Sequence, residues 1–310
     1  MFKKILVPLD GSKLAERAIP YAEDLASHFG SEITLINVMT TAEDPETPEY
    51  KGYISKMAAT IEQDVKKSPA LPKGEQVSVK LLITAPSGGR THAAEEILDF
   101  AAKEKTDLIV MATHGRTGIR RWVLGDTANK VASALNCPVL LIRANAEAPK
   151  KLHLNKILVP LDGSKESEAV LPYVEALAEK AKSGINLLTV TELLFNVIAA
   201  PSAVGYYGGE GIVRIPYNDE EMKPFVEVSE KYIKNISGKL TGKGIKTSYE
   251  VRVGSAGVEI IEVEEKMHPD MVVMSTHGHS GFGRFDHGSI ADKVLHAGNA
   301  PLLLVKPPKV

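Results

Sequence analysis

Two short loops, each present twice in the chain, hold the residues best suited to chemistry. Pro8-Leu9-Asp10-Gly11-Ser12 recurs as Pro160-Leu161-Asp162-Gly163-Ser164, and Thr113-His114-Gly115-Arg116-Thr117-Gly118 recurs as Thr276-His277-Gly278-His279-Ser280-Gly281. An aspartate at the end of an apolar run, beside a glycine turn, could accept hydrogen bonds from ribose hydroxyls or hold Mg2+. The histidine-glycine loops lead to Gly125-Asp126 and Gly288-Ser289, each pair just inside a helix start. A glycine-rich approach to a helix start bares amide N–H groups beside a positive dipole end, which suits phosphate. The bland reading, loops that simply turn, explains the same residues equally well. Neither GxGxxG nor GxxxxGK[ST] occurs, so a P-loop NTPase is excluded.

The elements that must carry these loops also come in duplicate. Lys4–Lys13, KILVPLDGSK, is repeated without change at Lys156–Lys165, 152 residues later. DLIVMATHGRTG from Asp107 matches DMVVMSTHGHSG from Asp270, and NCPVLLIR from Asn136 matches NAPLLLVK from Asn299, both at an offset of 163. The second copy therefore carries a net insertion of 11 residues, which the Gly-, Ala- and Tyr-rich stretch 192–216 accommodates. Two domains follow, 1–146 and 155–310, joined by a linker at 147–154. In the first copy, strands are expected at Lys4–Leu9, Ile33–Val38, Val77–Ile83, Leu108–Ala112 and Val139–Ile142. These runs are apolar throughout, as in parallel strands covered on both faces. Helices are expected after Ser12, after Thr47 with Pro48 in the first turn, over Thr91–Lys103 and over Arg121–Ala134. The second copy repeats them near Lys165–Lys182, Asp219–Leu240, Val258–Lys266 and Phe285–Ala297. Alternating strands and helices predict an α/β fold, with five strands and four helices in a doubly wound parallel sheet in each half. The fifth strands, Val139–Ile142 and Leu302–Val305, read as apolar edge strands that need a partner.

Composition narrows the function. The 37 Lys and Arg against 39 Asp and Glu, spread along the chain, argue against a nucleic-acid grip, which needs clustered cations. Cys137 is the single cysteine, which excludes an intrachain disulfide and a cysteine-tetrad zinc site; it reads as an inert thiol in an apolar run. The N-terminus lacks a signal-peptide shape, and no window holds the ~18 apolar residues of a membrane span. A soluble, cytoplasmic protein is expected. His277, His279 and His287 could ligate zinc, but no carboxylate or cysteine at helix-locked spacing joins them, so no metal centre is expected. Arg116 and Arg284 read as exposed arginines and Trp122 as a packing residue. The stretch with Tyr206 and Tyr207 reads as a surface excursion, with a lid over the second site as the alternative.

The strand ILVPLDGS, the loop THGRTG and the last strand CPVLLIR together resemble the universal stress protein family, over nearly all of both halves. The resemblance implies a sheet in the order 3-2-1-4-5 in each half, of the adenine nucleotide alpha hydrolase-like kind. It also implies, from one branch of the family, an ATP motif G-x2-G-x9-G-[S/T]. Carried onto this chain, the motif falls on Ala112, Gly115, Gly125 and Asp126 in the first half, and on Ser275, Gly278, Gly288 and Ser289 in the second. Neither half has the first glycine, and His287 replaces the aliphatic residue usual there. Ser289 matches the phosphate-binding hydroxyl, whereas Asp126 sets an acceptor-only carboxylate beside the ligand's own charge. Like charges at that range cost on the order of 1–4 kcal/mol. The resemblance further assigns the backbone of Val190 (and of Val38) to adenine, and Asp162 (and Asp10) to the ribose or a metal. The nucleotide site is thus expected at Pro160, Asp162, Val190, Ser275, His277, Gly278, Gly288, Ser289 and Ile290, with a weaker one at Asp10, Val38, His114, Gly115 and Gly125.

The expected function is a non-enzymatic, ATP-binding regulatory protein of stress adaptation, with Mg2+ at Asp162 as an accessory. The alternatives are a slow Mg-dependent ATP hydrolase and a nucleotide-free pair of domains acting through protein contacts. Against hydrolysis, no lysine or arginine is placed to neutralise a transition state and no general base is evident. The resemblance implies pairing of the two fifth strands as an intramolecular pseudo-dimer, with homodimers and a regulatory protein partner as further expectations.

Overall fold

The computed structural model describes residues 1–38, 48–71, 77–84, 93–113, 124–134, 136–143, 154–201, 210–277 and 289–308. The first repeat contains β1 (Lys4–Pro8), α1 (Ile19–Phe29), β2 (Glu32–Val38), α2 (Pro48–Lys66), β3 (Val79–Thr84), α3 (Ala93–Lys103), β4 (Leu108–Ala112), α4 (Asp126–Ser133) and β5 (Val139–Ile142). The second contains β6 (Lys156–Pro160), α5 (Lys165–Glu168), α6 (Leu171–Ala181), β7 (Gly184–Glu192), β8 (Phe195–Pro201) and β9 (Glu210–Pro216). It continues with α7 (Asp219–Gly242), β10 (Thr247–Gly254), α8 (Ala256–Met267), β11 (Met271–Ser275), α9 (Ser289–Ala297) and β12 (Leu302–Val305).

Ten strands form one sheet in the order β10-β7-β6-β11-β12-β5-β4-β1-β2-β3. Within each repeat the strands are parallel and run in the order 3-2-1-4-5, counting only those of this sheet. The seam is the exception: β12 pairs antiparallel with β5, Leu302 opposite Leu141 and Leu304 opposite Val139. Each edge covers the other's unpaired N–H and C=O groups. Strand alternation then divides the core in two. Ile5, Val7, Ile157 and Val159 face one layer, with α1, α2, α6 and α7; Leu6 and Leu158 face the other, with α3, α4, α8 and α9. Both layers run across the seam, and in the first of them Phe2 joins the two repeats, its ring 5.2 Å from Phe29 and 5.8 Å from Tyr173 of the second repeat.

Equal sequence gives equal brackets. Asp107 accepts from the backbone N–H groups of Lys3 and Lys4, at 2.7 and 3.1 Å, and Asp270 accepts from Asn155 and Lys156, each at 2.8 Å. The Ser31 hydroxyl donates to the Phe2 carbonyl, and Ser183 does the same to Leu154.

The structure departs from the sequence expectation in three places. The helices expected straight after Ser12 and over Lys165–Lys182 are interrupted. Ser12 heads a 3-10 turn at Ala15–Ala18, Ser164 caps only α5, and the main helices restart at Ile19 and Leu171. Pro20 and Pro172 explain the restart, because proline lacks an N–H and fits only the first turn of a helix. The helix expected from Arg121 begins at Asp126, after the non-helical Leu124 and Gly125, and the one expected from Phe285 is described from Ser289. Finally, the stretch 192–216, read as a surface excursion, contains regular structure that the five-strand expectation did not include. It contains an antiparallel hairpin, β8–β9, pairing Phe195 with Pro216 and Pro201 with Glu210, so the second half has seven strands and five helices among its described residues.

Arg143, one residue past β5, reaches from the first repeat into the second. Its guanidinium donates to the carbonyls of Val294 (2.8 Å), Leu295 and Ala300 (3.3 Å), closing the C-terminal end of α9. Beneath it Glu264, 2% exposed, accepts from the N–H groups of Asn299 and Ala300. Burial lowers the Arg143 pKa to about 10, while the charge of Glu264 acts the other way. The residue matching Arg143 in the second repeat, Lys306, is exposed rather than buried.

Candidate functional site

β1 and β4, like β6 and β11, are neighbours whose connections leave in opposite directions, so a crevice opens above their carboxyl ends. In the second repeat β6 supplies its floor. Pro160 ends the strand opposite Leu188, and the Leu161 N–H makes the last bond across, 2.8 Å to the Leu188 carbonyl. β7 runs on to Glu192. Since Leu188 points its carbonyl toward β6, strand alternation points the backbone N–H and C=O of Val190 to the same side, beyond the end of β6. The first repeat repeats the geometry: Leu9 bonds the Ile36 carbonyl at 2.8 Å, and Val38 follows two residues on. Next to Val190, Thr189 is 4% exposed, and its hydroxyl has no hydrogen-bond partner among the described residues.

Asp162 stands exposed at the crevice mouth, held by its own turn. Its Oδ1 accepts from the Ser164 N–H at 3.0 Å and the Ser164 hydroxyl at 2.6 Å. Gly163 supplies φ +86°, which an L side chain resists. Asp10 makes the matching bond to the Ser12 N–H, 2.9 Å, with Gly11 at φ 81°. The far wall begins at Ser275, the last residue of β11. Its hydroxyl donates to the His277 carbonyl at 2.6 Å and so turns back on its own loop. The His277 ring is buried, with Nδ1 3.0 Å from the Thr276 hydroxyl.

The two helix starts at the crevice differ. Ser289 is the first residue of α9, and Ile290 behind it packs partly into the core. At the same place in the first repeat Asp126 opens α4, behind Gly125, whose N–H bonds the Thr113 carbonyl at 2.9 Å. His114, Gly115, Gly278 and Gly288, with Arg116, Trp122, His279, Arg284, His287, Tyr206 and Tyr207, lie outside the described residues.

The sequence profile of the universal stress protein family matches residues 1–143 and again 153–306. The chain belongs to the universal stress protein family. Among similar proteins, universal stress protein MJ0531 of Methanocaldococcus jannaschii is 33% identical over 156 residues, 49% of this chain and 85% of that one. Universal stress protein Slr1230 of Synechocystis is 23% identical over 97% of this chain and 99% of its own, so it shares the tandem length. The crystal structure of a universal stress protein from Archaeoglobus fulgidus superposes with a TM-score of 0.65 at 17% identity, covering 99% of each chain, a likeness of fold.

In this tandem universal stress protein, Pro160 ends β6, Ser275 ends β11, Val190 lies on β7 beyond its last pairing with β6, and Ser289 opens α9; Val38 and Gly125 hold the matching positions in the first repeat. Sequence reasoning did not single out Thr189, one of several polar residues in β7 with Asn186 and Thr191. Among the described residues no helix is long and apolar enough to cross a membrane, and no group of three His, Cys, Asp or Glu could hold a metal ion. Burial first, then the charge of Asp107, pushes the Cys137 thiol up to about 12, so it carries no reactive thiolate near neutral pH.

Proposed function

We propose that this universal stress protein is a non-enzymatic regulator of stress adaptation that binds ATP, mainly in its second repeat. One observation carries the reading: the matching helix starts offer a hydroxyl at Ser289 and a carboxylate at Asp126. An incoming triphosphate meets bare amides and an O–H donor at α9, and a like charge at α4. The remaining residues fit the same ligand. The backbone of Val190 faces the gap where an adenine would hydrogen-bond. Asp162 at the mouth suits ribose hydroxyls or Mg2+. His277 and Ser275 hold the loop shape through bonds made within the loop. Gly278 and Gly288 would supply close backbone approach.

Calorimetric titration with ATP tests this directly. One nucleotide per chain is expected, and Ser289→Asp should weaken binding at least tenfold, about 1.4 kcal/mol, while Asp126→Ser should leave the second site unchanged. Occupancy confined to the first repeat would overturn the assignment. Mass spectrometry of ligand released from purified protein, followed over time, separates binding from hydrolysis: retained ATP supports the regulator, and accumulating ADP an ATP hydrolase.

A further inference from the structure

A second concavity, lined by none of the residues assigned to the crevice, lies at the carboxyl ends of β7 and β10. Leu193 just past β7, Tyr217 after β9, Val253 near the end of β10 and the first three turns of α7 enclose about 540 Å3. Its wall is apolar: Leu193, Met222, Val226 and Val253, of which Leu193 and Val253 are at least 40% exposed. Its rim is acidic. Asp219, Glu220, Glu227 and Glu230 stand against the single ammonium of Lys223, and none of the four carboxylates is in an ion pair among the described residues. Glu221, which is outside the lining, already caps α7 with Asn218. The rim carboxylates of the third turn, Glu227 and Glu230, lie too far along the helix to serve its N-terminus. Pro224 adds an acceptor, because it lacks the N–H that would bond the Glu220 carbonyl.

Beside the concavity, Phe225 packs edge-on against Tyr217 with ring centroids 6.4 Å apart yet is 44% exposed. An exposed aromatic side chain next to an apolar wall with a charged rim marks a contact surface. Leu193 and Tyr217 flank the hairpin, which belongs to the segment that makes the second repeat longer than the first.

We propose that this concavity is a docking site for a protein partner through a short amphipathic segment carrying lysine or arginine. Apolar side chains of the segment fill the space between Leu193, Met222 and Val253, and its cations meet Glu227, Glu230 and the Glu220 carbonyl. Charge complementarity selects this occupant, since an acidic segment meets four like charges and an uncharged one leaves them unpaired.

The test uses the whole chain and a fluorescein-labelled leucine-lysine peptide of helical spacing, roughly four turns long. Its control has glutamate in place of lysine. Anisotropy titration should show saturable binding of the lysine peptide and none of the glutamate peptide. Glu227→Lys with Glu230→Lys should weaken binding at least tenfold, and so should Leu193→Ser with Val253→Ser, each variant checked for an unchanged circular dichroism spectrum. Glu179→Lys with Glu265→Lys, an equal charge change on exposed faces of α6 and α8, should leave binding unaltered. Absence of binding, equal affinity in the rim variant, or equal loss in the remote one overturns the proposal. ATP titration of the same variants is expected to match the unaltered chain, which keeps this result separate from the nucleotide reading.

Discussion

At the scale of single residues, the titrating groups outside the crevice give the sharpest expectations. Glu23 on α1 is half-buried, and burial together with the charge of Asp64 raises its pKa from the ordinary 4.5 to about 7. The folded chain therefore holds this proton more tightly than the unfolded chain does. The associated stability is fully present below pH 4.5 and is lost as pH rises through about 7. Glu23→Gln removes the effect. Urea denaturation should find the variant equal to the parent near pH 4.5, and more stable by about 1–2 kcal/mol above neutrality, after allowance for solvent screening of a side chain that is not fully buried. The sequence showed Glu23 as one more helical carboxylate; only the packing of α1 against α2 gives it an unusual proton.

At the scale of elements, the repeat makes its own controls. Helix α1 ends on Gly30 at φ 60°, and α6 ends on Lys182 at φ 59°. Both C-caps are left-handed, but a lysine there carries a Cβ against the carbonyl oxygen, at a cost of roughly 1–2 kcal/mol. Lys182→Gly should stabilise the protein by about 1 kcal/mol, part of the gain being offset by the freer unfolded chain. A rise in the thermal midpoint checks it, and Gly30→Lys should lower the midpoint by a comparable step. Strands and long helices were legible from the chain because apolar runs and caps are local signals. The breaks before Pro20 and Pro172 were legible in principle, yet an uninterrupted amphipathic pattern masked them. The hairpin β8–β9 was not. Its strands, FNVIAAP and EGIVRIP, lack the alternation that betrays a strand with one face buried.

At the scale of the molecule, the antiparallel seam between β5 and β12 turns two sheets into one, and the Arg143 clamp fastens it. Replacing Arg143 by methionine removes the donor to three carbonyls and leaves Glu264 as an uncompensated buried charge. A loss of about 3–5 kcal/mol is expected in urea denaturation. Glu264→Gln in the same chain should recover part of it, since a neutral amide keeps an acceptor for Asn299 and Ala300.

The chain by itself determined the tandem α/β architecture, the near-equality of the two repeats and the Asp-Gly-Ser turns that follow β1 and β6. Identical decapeptides, apolar strands and turn glycines act over a few residues, so they can be read in order. Tertiary structure alone decided what depends on residues far apart in the chain. Arg143 meets Val294, Val190 is left facing a gap because β6 stops, and α7, β10 and the hairpin base enclose a second concavity. Each arises where separate segments converge, and no local pattern encodes that meeting.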